Sequence, residues 1–196
     1  GGGNNNAEVL TDAHKLTGKN AIFKASGKDA AIIIEEGAKL FSEARIDGRS
    51  TGRVLQLEDG ATGVDSAHNI VGRGGNVDIN GGSSYTQKGT KVFGYNQVDG
   101  KYREDKNESV FSVEENINSG KYINEGKIFS NIEKTFSLNK DNSELLNNGE
   151  MHFYSAYTTD KNGNKNGNDK LLKNIELNRE GTFVNGEHGK ITLGIG

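Results

Sequence analysis

The residues to weigh first for metal chemistry are four histidines, His14, His68, His152 and His188, which are scattered with no pairing at ligand spacing. The chain has no cysteine, so no thiolate is present to act as ligand or nucleophile. Asp160, Asn162 and Asn164 match the first three ligand positions of a calcium loop, and Asn166 and Asn168 continue the alternation. The match then fails: Lys165 stands where the sharp turn wants glycine, and Leu171 where a bidentate glutamate is needed. Serine and threonine sit in turn contexts without a nucleophile-elbow pattern. These residues predict no metal, no cofactor and no catalytic group. Aromatic rings are the remaining handle on a ligand. Tyr85, Tyr95, Tyr102, Tyr154 and Tyr157 fall near turns or insertions, where an exposed ring can stack on a sugar. A tyrosine at a strand edge is equally an ordinary wall residue, so no ligand-binding residue is named.

Hydrolysis of a glycan needs one carboxyl to protonate the leaving oxygen and a second to attack or to activate water. The run Ile70-Val71-Gly72-Arg73-Gly74-Gly75-Asn76-Val77-Asp78-Ile79-Asn80-Gly81 resembles the glycine-rich early coil of polygalacturonase-type enzymes. Those enzymes gather several aspartates on adjacent coils, with a histidine and an Arg-x-Lys segment nearby. This chain has no Asp-Asp pair and no Gly-His-Gly, and Asp78 lacks a carboxylate partner at one-coil spacing. The expectation is therefore no enzyme, with a carbohydrate-active β-helix kept as the alternative. Nucleic acid is not an expected partner either. Lys39, Arg45, Arg49 and Arg53 are the nearest thing to a basic stripe, yet Glu35, Glu36, Glu43 and Asp47 lie among them.

The elements that would carry such residues have little apolar material to work with. Of 196 residues only 32% are hydrophobic, and the mean hydropathy is -0.72. A thick globular core is hard to build from this. Disorder fits no better, because the net charge is only -3 and β-branched and aromatic residues recur throughout. A thin core repeated in layers fits both facts. No run approaches the length of about 20 apolar residues that a membrane-spanning helix needs. The opening Gly1-Gly2-Gly3-Asn4-Asn5-Asn6 has no basic head or apolar stretch, and Lys190 to Gly196 reads as an uncapped strand. The chain thus reads as a piece of a longer protein, with residues 1–8 flexible or frayed. The lack of cysteine also suits a polypeptide exported unfolded, since a periplasmic disulfide would jam its exit.

Glycine or asparagine interrupts almost every window long enough for a helix. Alternation with period two matches better, as in Arg53-Val54-Leu55-Gln56-Leu57, Asn76-Val77-Asp78-Ile79, Val110-Phe111-Ser112-Val113 and Lys190-Ile191-Thr192-Leu193. Phe23, Phe41, Phe111, Phe129, Phe153 and Phe183 follow that pattern and are expected inside. A phrase recurs between the strands: an apolar residue, two polar residues, glycine, then alternating apolar positions. It appears as Ile34-Glu35-Glu36-Gly37, Leu57-Glu58-Asp59-Gly60, Ile123-Asn124-Glu125-Gly126 and Leu146-Asn147-Asn148-Gly149, and stretched as Val184-Asn185-Gly186-Glu187-His188-Gly189.

From Gly37 to Gly60 is 23 residues, from Gly60 to Gly82 is 22, and from Gly126 to Gly149 is 23. A repeat of this length points to a solenoid. A β-sandwich with common Asn-Gly turns is the rival, and the period selects between them. The expected fold is all-β, a right-handed parallel β-helix of roughly 22–23 residues per coil over residues 1–196, with coils about 4.8 Å apart. Eight or nine such coils would make a rod of roughly 40 Å. Residues 99–109 and 158–170 break the period and are expected to be loop insertions on the outside.

The phrases Ile-Asn-Glu-Gly-Lys-Ile (123–128), Leu-Asn-Asn-Gly-Glu-Met (146–151) and Val-Asn-Gly-Glu-His-Gly-Lys-Ile (184–191) resemble passenger repeats of large autotransporter adhesins. So does the lysine- and asparagine-heavy usage typical of AT-rich Gram-negative bacteria. The resemblance covers most of residues 20–196 and is closest over 112–157 and 180–196. It implies a β-helical passenger displayed outside the cell, anchored to the outer membrane through parts not in this chain. The implied function is structural and adhesive, the segment monomeric and not itself inserted in the membrane. The implied partner is a glycan or protein on a host or bacterial surface. Two-partner secreted haemagglutinin-like proteins share the same coil.

Overall fold

In the computed structural model every described element is a β-strand. The structure describes residues 8–10, 23–44, 55–74, 76–93, 95–98, 101–104, 115–130, 134–159, 165–170, 177 and 180–195. His14, Arg45, Arg49, Arg53, the strand expected at 110–113 and the calcium-like positions Asp160, Asn162, Asn164 and Leu171 lie outside the described residues. So do residues 1–7 of the stretch expected to fray.

The chain winds through three walls. After β1 (Glu8–Leu10), the first full coil is β2 (Phe23–Ser26), β3 (Ala31–Ile34) and β4 (Lys39–Ala44). The second is β5 (Leu55–Glu58), β6 (Thr62–Asp65) and β7 (His68–Gly74). The third is β8 (Val77–Ile79), β9 (Ser83–Gln87) and β10 (Thr90–Phe93), followed by β11 (Tyr95–Val98) and β12 (Lys101–Glu104). The fourth is β13 (Glu115–Ile117), β14 (Gly120–Asn124) and β15 (Lys127–Ser130). The fifth is β16 (Phe136–Leu138), β17 (Ser143–Asn147) and β18 (Glu150–Thr159), followed by β19 (Lys165–Lys170). The last described coil holds β20 (Thr182–Asn185) and β21 (Lys190–Ile195).

Each strand pairs in parallel with its counterpart one coil on, so β2, β5, β8, β13 and β16 form the first wall and β3, β6, β9, β14, β17 and β20 the second. The third wall runs β1, β4, β7, β10, β15, β18 and β21. This is the parallel β-helix that the period predicts. Two antiparallel pairs, β11 with β12 and the later part of β18 (Ala156 to Thr159) with β19, occur in or beside the stretches where the period breaks.

The register corrects two details of the sequence reading. Partners in the second wall lie 22 residues apart from Thr62 to Ser84 and 23 apart from Lys121 to Glu144. They lie 31 apart from Ala31 to Thr62, 37 from Ser84 to Lys121 and 38 from Glu144 to Thr182. Long coils use up chain, and among the described residues the second wall has six strands where eight or nine coils were expected. In addition, Gly37 follows β3 at the corner between second and third walls, whereas Gly60 follows β5 at the corner between first and second. Their spacing of 23 joins two different corners and is not a coil length. The other two spacings each compare like with like.

Alternation decides which side chains face in. In β5 and β8 the first and third residues are buried, and in β9 and β17 the first, third and fifth. Stacking therefore makes columns along the axis. Ala25, Leu57, Ile79, Ile117 and Leu138 form one on the first wall. On the second wall a column runs Ile32, Gly63, Tyr85, Tyr122, Leu145 and Phe183. Burying such like-on-like apolar columns stabilises by about 25 cal/mol per Å² removed from water, which is how a chain so poor in apolar residues still obtains a core.

Candidate functional site: the buried polar network and the outer face

The recurring Asn-x-Gly phrase has a physical role at the corner between second and third walls. Gln87, Asn124, Asn147 and Asn185 occupy one register position in successive coils. Gln87 Nε2 donates to Asn124 Oδ1 at 3.2 Å, Asn124 Nδ2 to Asn147 Oδ1 at 2.9 Å, and Asn147 Nδ2 to Asn185 Oδ1 at 2.9 Å. Each rung also serves the turn that follows it. The backbone N–H of Gly126 donates to Asn124 Oδ1 and that of Gly149 to Asn147 Oδ1. Gln87 is one methylene longer than the asparagines, and its buried Oε1 is left without a hydrogen-bond partner. A second ladder runs along the first wall: Asn139 Nδ2 donates to Asn118 Oδ1, Asn118 Nδ2 to Asn80 Oδ1, and Asn80 Nδ2 to the Leu57 carbonyl.

One coil below Gln87 the first ladder meets a charge, Asp65, and the interior becomes strongly polar. Asp65 Oδ1 accepts from the Ala67 N–H at 3.1 Å, and its Oδ2 accepts from Asn69 Nδ2 at 3.0 Å and Tyr85 Oη at 2.6 Å. Beside it lies an ion pair with no exposure on either side chain. Lys91 Nζ, entering from β10, stands 3.0 Å from Glu115 Oε2, entering from β13. Lys91 Nζ also donates to Asn76 Oδ1 at 2.6 Å. The Tyr122 hydroxyl donates to Glu115 Oε2, while Glu115 Oε1 is buried without a partner. The ammonium sits 4.6 Å from the centre of the Tyr85 ring, with Phe93 and Tyr122 flanking it. Burial pushes the Glu115 carboxyl up from 4.5, opposed by Lys91 and by the Tyr122 hydroxyl, which pull it down.

The alternation that would have revealed this pair is present in the sequence. Thr90-Lys91-Val92-Phe93 puts Lys91 on the same face as buried Phe93, and Glu115-Asn116-Ile117 puts Glu115 beside buried Ile117. Charge masks the pattern, because lysine and glutamate are almost never fully buried unless paired.

The outer surface collects different chemistry. Lys39, His68, Thr90, Lys127, Glu150 and Lys190 share one register position across the third wall. Around its first coils lies an open cleft of about 530 Å³, lined among others by Glu36, Lys39, Ser66, His68, Lys88 and Thr90. Burial, and then the Lys39 charge, lower the His68 pKa from 6.5. Farther along, the Phe129 ring stacks on His152 with centroids 4.9 Å apart, and His152 Nε2 approaches Glu150 Oε1 at 3.3 Å.

Several aromatic expectations are corrected here. Tyr85, read as a residue near a turn, is fully buried, because it falls on the inward register of β9 and its hydroxyl has Asp65 to bind. Phe129, expected inside, alternates with buried Ile128 and Ser130 and so lies on the outer face. Phe153 is buried as expected and Phe183 packs against the core, whereas Phe23 is 42% exposed at an inward position of the first coil. Phe93, Phe136 and Tyr122 belong to the interior although the sequence reading did not single them out. Side chains of Tyr95, Tyr102, Tyr154 and Tyr157 lie outside the described residues.

Asp78 has Gln56 and Asn116 as its register neighbours, so no second carboxylate stands one coil above or below it. Among the described residues no three metal-ligating side chains gather at one place, and no helix is long and apolar enough to cross a membrane. No family model, curated protein or solved structure matches this chain.

Proposed function

We propose that this chain is a structural and adhesive segment of a bacterial surface protein of the autotransporter-adhesin type. It works as a stiff extracellular rod whose outer face meets a glycan or protein on a host or neighbouring cell. The observation that carries the reading is the coil itself: three parallel walls in register, with the interior given over to apolar columns and asparagine ladders. Such an interior holds a shape and presents walls. The part suited to a partner is the outside of the third wall, where Phe129 and His152 offer stacked rings beside Lys127 and Glu150. Stacking on a ring with charged hydrogen-bonding groups at its rim is a chemistry that suits a sugar. Monomeric display fits this reading, with the outer membrane reached through other parts of the protein.

The test is an immunoblot of fractionated source cells with and without external protease. The expected result is a protease-sensitive outer-membrane band much larger than 21.1 kDa. A soluble, protease-protected band would overturn the assignment.

A further inference from the structure

Lys91, Asn76 and Glu115 form a constellation that an apolar core does not need. The amine, the carboxamide and the carboxyl are all withdrawn from water, Lys91 and Glu115 completely and Asn76 to 3%. Lys91 Nζ contacts both others, at 2.6 Å to Asn76 Oδ1 and 3.0 Å to Glu115 Oε2. The rings of Tyr85, Phe93 and Tyr122 surround the amine, so little water is at hand to compete as a nucleophile. We propose that Lys91 and Asn76 become joined by an intramolecular isopeptide bond, with Glu115 as the proton shuttle.

The reaction needs only these three groups. Lys91 passes a proton to Glu115 across their hydrogen bond, which exchanges a buried pair of opposite charges for a neutral pair. In a medium of low polarity that exchange removes two desolvated charges. The neutral amine attacks Asn76 Cγ, one bond beyond the oxygen it already contacts, and the Nζ–Cγ bond forms. Glu115 gives its proton to the departing Nδ2 while the amine's surplus proton returns to the carboxylate. The Cγ–Nδ2 bond breaks and ammonia leaves. The products are a secondary amide and one ammonia, Glu115 is left with one proton that the ammonia takes up as it leaves as ammonium, and no oxidant or co-reactant takes part. The Tyr122 hydroxyl holds Oε2, the oxygen that faces Lys91, in place, and the buried Oε1 has no hydrogen-bond partner. Groups held this close react with effective molarities of about 10⁵ M or more when well aligned. Burial also favours the protonated carboxyl that the second half of the reaction requires.

The bond would tie β10 in the third wall to the entry of β8 in the first, closing the third coil across its own core. A chain with no cysteine would thereby hold a covalent brace that reducing conditions do not open.

Intact-mass measurement and peptide mapping of the purified, folded chain test this wherever the protein resides in the cell. The expected mass is lower than that of the sequence by one ammonia. Trypsin should fail to cut after Lys91, and fragmentation should place a branch between Lys91 and Asn76. Glu115→Gln, Lys91→Arg and Asn76→Ala should each restore the full mass. Full mass in the wild-type chain overturns the proposal. So does ammonia loss without the branched peptide, which would mark a succinimide at an Asn-Gly step such as Asn148-Gly149. Loss of water with a branch from Lys91 to Glu115 overturns it as well.

Discussion

Tyr85 and Tyr122 lie one coil apart with ring centroids 5.0 Å from each other and planes tilted by 47°, and neither has any exposure. Each hydroxyl donates to a carboxylate, Asp65 for Tyr85 and Glu115 for Tyr122. Burial first, and then those negative charges, raise both hydroxyls well above the usual 10.0. The folded chain therefore keeps two protons that the unfolded chain releases above pH 10. Linkage then gives a stability that is complete below pH 10 and is lost as pH rises beyond it. In an alkaline titration followed by tyrosinate absorbance and circular dichroism, at least two of the six tyrosines should stay protonated until the β signal collapses. Ionisation of all six with the native spectrum intact would contradict the burial of this pair. Tyr85 was read as a residue near a turn, and Tyr122 was not singled out. Their direction was not legible, because it depends on whether Asp65 and Glu115 face the same interior, and a single sequence does not display that.

Corners between the walls show what a recurring phrase encodes. Glycine tolerates a left-handed backbone, and at Gly60 and Gly82 it adopts one, with φ of 82° and 76°. Gly126 and Gly149 are different. Neither is left-handed, yet a Cβ on Gly149 would run into the Gly126 carbonyl oxygen, and one on Gly126 into that of Gly89. These glycines let consecutive corners approach closely enough for the asparagine ladder to close. Gly149→Ala should cost about 1–3 kcal/mol through overpacking against an unyielding backbone. Gly82→Ala, with open space around its Cβ, should lose only about 1–2 kcal/mol from the left-handed backbone. Urea midpoints of the two variants check the first figure against the second, and a neutral Gly149→Ala would refute the close approach. Strands, corners and the spacing of the short coils were thus readable from alternation and from Asn-x-Gly. The number of coils was not, because the long coils look like missed repeats. Lys91 and Glu115 stayed hidden because each has the residue type of a surface position.

Along the whole molecule the covering of the interior is uneven. Third-, fourth- and fifth-coil residues such as Ile79, Ile117, Tyr122 and Leu145 have no exposure, whereas Leu193, in register with buried Phe153, is 67% exposed. In the isolated chain, amide exchange should be slowest in β9, β14 and β17 and fastest in β20 and β21. Uniform protection from end to end would mean that the last coil is covered, for instance by a second copy. The two asparagine ladders add a property of the assembled stack. In the ladder between second and third walls Gln87, Asn124 and Asn147 each donate toward the later coil, and in the first-wall ladder Asn139 and Asn118 each donate toward the earlier coil. Each ladder is thus a file of amide dipoles aligned head to tail, and the two files point in opposite directions. An α-helix sums its peptide dipoles into a terminal charge of about half an electron. Here the two files oppose one another, three amide-to-amide links against two, so coils that extend both files together would add little net dipole along the axis.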